Sequence, residues 1–386
     1  MRRDEAEAAG AGGRKQGAES LTVCRGLLPG VSRTFSLTIR ILPGGLRDAV
    51  TVSYLLCRMA DLLEDATGVD PAARVQGLED LAASLARSVT GARSEVDARS
   101  RMYVATLADA LEPAARLGLG DAAGRTLLSE RHAVFSAYLA LTPAQREVVA
   151  HWVEALALGM AEYVRRELRP PVVRAQGRGE VAFVLETAEE LRAYAWYVAG
   201  TVGHLLTELF ALHLGRREAP LPRLRELASS FGLGLQFTNI LQDLAEDRRR
   251  GWSYVPEELA RKHGTSADRL DEPSNRRAAL RVVGDLVQEA AGYLDRAMEY
   301  TLLLPRNVPR IRLFCLWPTF FAMRTLTRLW GEERVLTGGD KVRISRGEVR
   351  RVLGETCVAC FWNRELARLY RAERMRLERR VLMHPV

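Results

Sequence analysis

Apolar residues recur along this chain at helical spacings of three and four, interrupted by short segments rich in Pro and Gly. The pattern predicts helices over 46–65, 72–88, 100–116, 122–140, 143–168, 187–214, 222–247, 276–303, 308–330 and 346–380. The breakers agree with it. Pro170-Pro171 follows one helix, Pro220 and Pro222 mark the start of another, and Thr142-Pro143 reads as an N-cap and first helical position. The loop around Arg174–Glu180 is charged and contains Gly, as an exposed loop would be. Alternating β-branched runs are scarce, so the expected fold class is all-α. No long linker divides the chain, which predicts a single domain over 21–380. Residues 1–20 are polar, rich in Gly and Ala and mixed in charge. They read as a disordered tail, too polar for a signal peptide and too acidic for a transit peptide.

Two of these helices depart from simple amphipathicity in the same way. Asp61-Leu62-Leu63-Glu64-Asp65 and Asp243-Leu244-Ala245-Glu246-Asp247 both read D-L-x-E-D. Positions i, i+3 and i+4 share a helix face, so each copy is expected to gather its carboxylates. Like charges so placed repel by roughly a few tenths of a kcal/mol per pair. Each trio continues a longer stripe: Tyr54, Arg58, Asp61 and Asp65 in the first helix, and Gln236, Asn239, Asp243 and Glu246/Asp247 in the second. The positions between are mostly Leu, Ile, Met and Phe. A helix apolar on its other faces is buried, so the polar stripe would line a cavity. An ordinary surface helix with an Arg58–Asp61 ion pair explains the first stripe as well; it explains the second poorly. The repeat follows no solenoid period and reads as two halves of one site.

Carboxylates in this sparse arrangement suit Mg²⁺, which takes one or two of them together with waters and phosphate oxygens. Arginines are natural partners for the same phosphates, with Arg33, Arg58 and Arg248-Arg249-Arg250 as candidates. The 386-residue chain carries a net charge of +8, which fits diffuse surface Arg or an anionic small molecule. It shows no nucleic-acid-binding signature, and no nucleic-acid partner is expected. Between the acidic helices, Tyr194-Ala195-Trp196-Tyr197-Val198-Ala199-Gly200-Thr201-Val202-Gly203 combines two tyrosines with small residues. The tyrosines could meet a cation or simply pack. The glycines could allow close helix approach or leave room for a long ligand.

Several chemistries are excluded. The six histidines show no metal-binding spacing, and no G-x-G-x-x-G follows a strand, so a dinucleotide would bind outside a Rossmann fold. Five cysteines point to a reducing compartment, with Cys357 and Cys360 as helix thiols and not a zinc site. No apolar run is long enough to span a bilayer. The protein is expected in the cytoplasm, at most peripheral to the inner face of the membrane.

Taken together, Ser32-Arg33-Thr34-Phe35, Arg47-Asp48-Ala49-Val50, Tyr54–Asp65, Gly159-Met160-Ala161-Glu162, Tyr194–Gly203 and Gln236–Pro256 resemble the head-to-head prenyl synthases, the squalene and phytoene synthase family. The resemblance covers most of the chain beyond residue 20. Within the family the squalene branch is more similar. It shares Tyr-x-x-Tyr-Val-Ala-Gly at 194–200, Phe314-Cys315-Leu316-Trp317-Pro318, Met323-x-Thr325-Leu326 and Gly339–Gly347.

The resemblance implies an isoprenoid-synthase-type helical bundle with a central active-site cavity. It implies farnesyl-diphosphate farnesyltransferase activity. Two molecules of farnesyl diphosphate condense with Mg²⁺ to presqualene diphosphate, which NADPH reduces to squalene. Asp61, Glu64, Asp65, Asp243 and Asp247 would hold metal. Arg33, Tyr54 and Arg58 would contact diphosphate, and Gln236 and Asn239 would also face substrate. Tyr194 would lie near the first cation and assist proton removal, Phe314 would line the second-step cavity, and Lys341 and Arg343 would meet the anionic end of NADPH. A monomer is expected, with the basic last helix as a peripheral membrane contact. Relatives usually carry a basic residue where Gln242 stands, and often one where Trp252 stands. The alternative is a sibling that makes phytoene, dehydrosqualene or presqualene diphosphate without reduction. A non-catalytic member would lose acidic positions kept here, and a head-to-tail elongase or cyclase would lack the 194–200 and 341–347 segments.

Overall fold

The structure is a computed structural model that describes residues 2–66, 68–89, 108–109, 111–168, 183–215 and 220–384, except for the side chains of 2–15, 33, 113 and 183. Its contacts gather into two units, Met1–Leu168 with Leu205–Gly215, and Arg169–His204 with Arg216–Val386.

The first unit is helical throughout its described residues. Helix α1 (Arg2–Val31) takes in residues whose composition reads as a disordered tail; Ala, Glu and Arg there are good helix formers. Helix α2 (Arg33–Arg40) begins at Ser32, whose hydroxyl accepts from the Phe35 amide at 3.0 Å. Helix α3 (Gly44–Glu64) carries the first acidic motif and ends at Asp65. Helices α4 (Pro71–Val89), α5 (Glu112–Arg116), α6 (Ala122–Ser129), α7 (Arg131–Leu139) and α8 (Pro143–Arg166) follow. Thr142 opens α8 with a full capping box to Gln145, as the Thr-Pro pair predicts. The helix expected over 122–140 is interrupted at Glu130. There the Arg131 guanidinium turns to the carbonyls of Ala108 and Leu128 and to Glu112. Most of the helix expected over 100–116, and the loop around 174–180, lie outside the described residues.

The second unit adds a short parallel pair, β1 (Phe183–Val184) with β2 (Trp252–Ser253). The helix expected over 187–214 becomes α9 (Ala188–Ala195), a π turn at Trp196–Gly200 and α10 (Thr201–Leu214), whose residues from Leu205 onward belong to the first unit. Then come α11 (Leu221–Arg249) with the second acidic motif, α12 (Glu257–Lys262), a 3₁₀ turn at Pro273–Asn275 and α13 (Arg276–Leu303). Helices α14 (Pro309–Leu329), α15 (Arg334–Thr337), α16 (Arg346–Ala359) and α17 (Asn363–Met383) complete the unit.

Helix α11 packs against α13, the π turn, α14 and α15. Fully buried Arg312 donates to Asn363 Oδ1 at 2.5 Å, while Asn363 Nδ2 donates to the Leu302 carbonyl at 3.1 Å. That tertiary hold breaks the single helix expected over 346–380 at residues 360–362. All five cysteines are free, with Cys357 in α16 and Cys360 at its C-cap, as read from the lone C-x-x-C. Among the described residues, no helix is long and apolar enough to cross a membrane.

Candidate active site

Helix α3 buries Leu55, Leu56, Met59, Leu62 and Leu63 and leaves Tyr54, Arg58 and Asp61 half-buried, with Asp65 exposed. The stripe therefore stands where the spacing puts it. Arg58 pairs with Asp61 at 3.6 Å, and Asp65 acts on both electrostatically. Glu64 departs from the expected trio: it is buried, with 8 % of its surface exposed. At 3.6 residues per turn, a residue four on from Asp61 is rotated by about 40° and a residue three on by about 60° the other way. Arg58 and Asp65 fall on one side of Asp61, and Glu64 on the other, toward the core.

Burial raises the Asp61 carboxyl to about 6, opposed by Arg58 and reinforced by Asp65, although 37 % of the side chain remains open. Its charge is only partly met by protein. The structure also joins this stripe to the Ser-Arg-Thr-Phe segment. The Tyr54 hydroxyl is hydrogen-bonded to Ser32, and its ring lies 5.5 Å from Phe35. Burial raises the Tyr54 pKa. The Arg33 side chain lies outside the described residues. Arg74 was not foreseen, since nothing in the spacing marks it. Its buried guanidinium donates to the final carbonyls of α3, Leu63 and Glu64, and to Glu167 at 2.7 Å. It fixes the end of the acidic helix, whose carbonyls carry partial negative charge.

In α11, Leu233, Phe237, Ile240, Leu241 and Leu244 are buried, while Gln236, Asp243, Glu246 and Asp247 are half-buried and Asn239 is exposed. Lys341 Nζ lies 2.6 Å from Asp243 Oδ1 and 3.0 Å from Glu246 Oε2. Hydrogen bonding to Lys341 lowers the Glu246 pKa. Burial opposes the Lys341 ammonium, yet its bonds to the two carboxylates hold its pKa above the usual lysine value. Gln242 donates to the Val342 carbonyl at 2.6 Å, so the same loop is tied to the helix twice. A cleft lined by Gln242, Glu246, Arg249, Gly338 and Lys341 opens beside it, about 350 Å³ with the solvent at its mouth. Arg248 is drawn to Asp271 at 2.7 Å and Arg250 to Glu246 at 2.8 Å. Arg343 is exposed, and Phe314 is buried in α14 at 1 % exposure.

Tyr194 closes α9 and is buried. Its hydroxyl donates to Tyr254 Oη at 3.2 Å, and the rings stack at 4.7 Å. Tyr254 is held there because β2 pairs with β1 just before it and the Glu257 amide donates to the Leu185 carbonyl at 2.9 Å just after it. The π turn that follows Tyr194 packs directly on α11. A Cβ on Gly203 would stand 2.0 Å from the Ala228 carbonyl oxygen, and one on Gly232 would stand 2.0 Å from that of Ala199. Close helix approach, and not ligand space, is the use of Gly203.

Among the described residues, no three His, Cys, Asp or Glu side chains form a ready metal cage. The donor set still suits a cation that brings its own phosphate oxygens. In α3, Asp61 holds charge that no lysine meets. At α11, the Lys341 ammonium sits between the Asp243 and Glu246 carboxylates.

The sequence profile of the squalene/phytoene synthase family matches residues 28–348. The squalene synthase BSS of Botryococcus braunii is 27 % identical over 337 residues, covering 86 % of this chain and 63 % of its own length. The squalene synthase of Eremothecium gossypii is 29 % identical over 332 residues, covering 85 % and 66 %. The chain thus spans a little under two thirds of these relatives. The solved complex of TcSQS with the ligand BPH1237 superposes with a TM-score of 0.72 at 25 % identity, covering 93 % of this chain and 91 % of that one. A ligand-bound dehydrosqualene synthase shares the fold at a TM-score of 0.55 and 18 % identity, covering 89 % and 97 %. Both the motifs and the all-α isoprenoid-synthase fold lead to one assignment: the chain belongs to the squalene/phytoene synthase family.

Proposed function

We propose that the chain is a squalene synthase, joining two farnesyl diphosphates head to head through presqualene diphosphate and completing the reduction with NADPH. The observation that carries this reading is that α3 and α11, where they bear the acidic motifs, bury an apolar face and leave a carboxylate-bearing stripe partly open. The similarity to squalene synthases supports this reading.

Asp61 and Asp65 on one helix, and Asp243 and Asp247 on the other, would hold Mg²⁺; Glu64 is buried and would contribute only from behind. When bound, Mg²⁺ supplies positive charge to a departing diphosphate, and NADPH supplies the hydride of the second step. Arg58, already oriented by Asp61, would bind diphosphate oxygens, and Arg33 of the capped Ser-Arg-Thr-Phe segment is proposed for the same role. Tyr54, fixed by Ser32, would orient the same group.

The Tyr194–Tyr254 pair presents two hydroxyls linked by a hydrogen bond, and Tyr194 Oη would serve as the proton acceptor for closure of the cyclopropane ring. Gln236 and Asn239 present amides on the α11 stripe, and buried Phe314 would shape the second-step cavity. Arg343, exposed, and Lys341 would meet the phosphates of NADPH.

Purified protein incubated with farnesyl diphosphate and Mg²⁺ tests the reading by product identity. Squalene formed only when NADPH is added is the expected result. Dehydrosqualene or presqualene diphosphate as the final product in either condition would overturn it in favour of a non-reducing sibling.

A further inference from the structure

The second acidic motif already holds a cation of the protein's own. Lys341 lies 2.6 Å from Asp243 and 3.0 Å from Glu246, with 38 % of its side chain exposed. The loop that carries it departs from α15 through Gly338 and Gly339, at φ of +85° and +119°, a left-handed region that side chains other than Gly rarely adopt. Beyond Lys341 the loop is fastened by Gln242 to the Val342 carbonyl. It ends where Ser345 caps α16 in a capping box with Glu348. The segment from Gly338 to Arg343 is thus a strap, hinged at two glycines and tied to one side of α11.

Helix geometry sets which side. Relative to Asp243, Gln242 and Glu246 are rotated by about 100° and 60° one way, and Asp247 by about 40° the other way. The strap therefore lies against the Gln242/Glu246 flank, on the side of α11 away from Asp247. Asp243 lies on the border between them. A divalent ion held by Asp243 and Asp247 and the Lys341 ammonium would both draw on the Asp243 carboxylate.

We propose that Lys341 is a latch on the second acidic motif, which competes with the divalent ion for Asp243 and is released with its strap when the ion binds. The proposal rests on the metal reading of Asp243 and Asp247 given above. Two consequences follow from competition. The closed latch lowers the apparent metal affinity by the fraction of molecules in which it is shut. The released ammonium is then free to meet an anion, so metal binding and anion binding at the strap favour each other, a reciprocal coupling. Lys341 thereby gains a role before its part in cofactor binding, and supplies a positive charge beside Asp243 where Gln242 supplies none.

The test uses the full chain carrying Asp61→Asn, so that the first motif contributes little, with Mn²⁺ alone as the paramagnetic probe and no substrate. Mn²⁺ affinity is read by electron paramagnetic resonance, and opening of the strap by hydrogen exchange of the 338–345 peptide. Replacing Lys341 by Met is expected to tighten Mn²⁺ binding about five- to tenfold, the worth of a partly exposed charge pair made to two carboxylates. Lys341→Arg, which keeps the charge, is expected to stay within about twofold of the parent. Mn²⁺ is expected to speed exchange of the strap in the parent. In Lys341→Met exchange is already fast and does not respond. Equal or weaker Mn²⁺ binding by Lys341→Met would overturn the latch while leaving the metal reading intact. Strap exchange that ignores bound Mn²⁺ would do the same. No Mn²⁺ binding by the parent, or binding unchanged by a further Asp243→Asn, would overturn the metal reading and the latch together.

Discussion

The Tyr194 hydroxyl donates to Tyr254 Oη at 3.2 Å under stacked rings, so the Tyr194 proton is directed at Tyr254. Tyr194→Phe is expected to cut the rate of the first condensation about a hundredfold, the usual worth of a positioned proton acceptor, with the KM for farnesyl diphosphate little changed. Formation of the cyclopropyl intermediate without NADPH is the measurement, and an unchanged rate would remove Tyr194 from the chemistry. Arg74 offers a contrasting prediction. Its buried charge serves Glu167 and two helix-end carbonyls, so Arg74→Met leaves Glu167 without its cation and the carbonyls without donors. Urea unfolding is expected to report a loss of about 3 kcal/mol, as for other broken buried pairs. Asp61, Asp65, Asp243 and Asp247 were legible from spacing, because period alone determines which residues share a helix face. The burial of Glu64 was legible only in part, since the wider rotation at i+3 decides it. Arg74 was not legible at all: its partners are two backbone carbonyls of α3 and the distant Glu167 carboxylate, and no local side-chain pattern encodes them.

At the scale of elements, the long helices follow the apolar period, and the breaks within them do not. The interruption at 196–200 is a π turn, and it occurs where two helices meet backbone to backbone. Gly200, Gly203 and Gly232 permit that approach, and only the first two were noted in the sequence as able to do so. Their spacing said nothing about which partner they meet. Gly232→Ala and Gly203→Ala each place a methyl 2.0 Å from a carbonyl oxygen. Each is expected to cost about 1–3 kcal/mol, or more if the helices must separate. Gly292 in α13 is the control, because nothing stands within 4 Å of its would-be Cβ. Gly292→Ala is expected to stabilise the protein by about 0.5–1 kcal/mol through helix propensity alone. Opposite shifts of the thermal midpoint in the two classes check this; a fall in both would contradict it. The split of the C-terminal helix at 360–362 was hidden for a similar reason. It depends on buried Arg312 reaching Asn363 from a different helix, a contact far apart in the sequence.

For the whole molecule, membership of the squalene/phytoene synthase family sets the fold, and the proposed chemistry rests on a few side chains. The fold places an acidic stripe on one helix of each compact unit, each stripe backed by a buried apolar face. The charge environment of the two stripes differs. Asp61 keeps a raised pKa near 6, chiefly through burial, whereas Asp243 is met by Lys341. Under the proposed reading both are expected to be indispensable, because a metal bound through either would supply several kcal/mol of charge stabilisation to a departing diphosphate. The most direct measurement is turnover of farnesyl diphosphate by Asp61→Asn and by Asp243→Asn, with helical content followed by circular dichroism. Each variant is predicted to lose roughly a thousandfold or more in turnover, equivalent to about 4 kcal/mol, while its helical signal stays at the wild-type level. Turnover retained in either variant with the helices intact would contradict the assignment of both motifs to the metal-bound diphosphate.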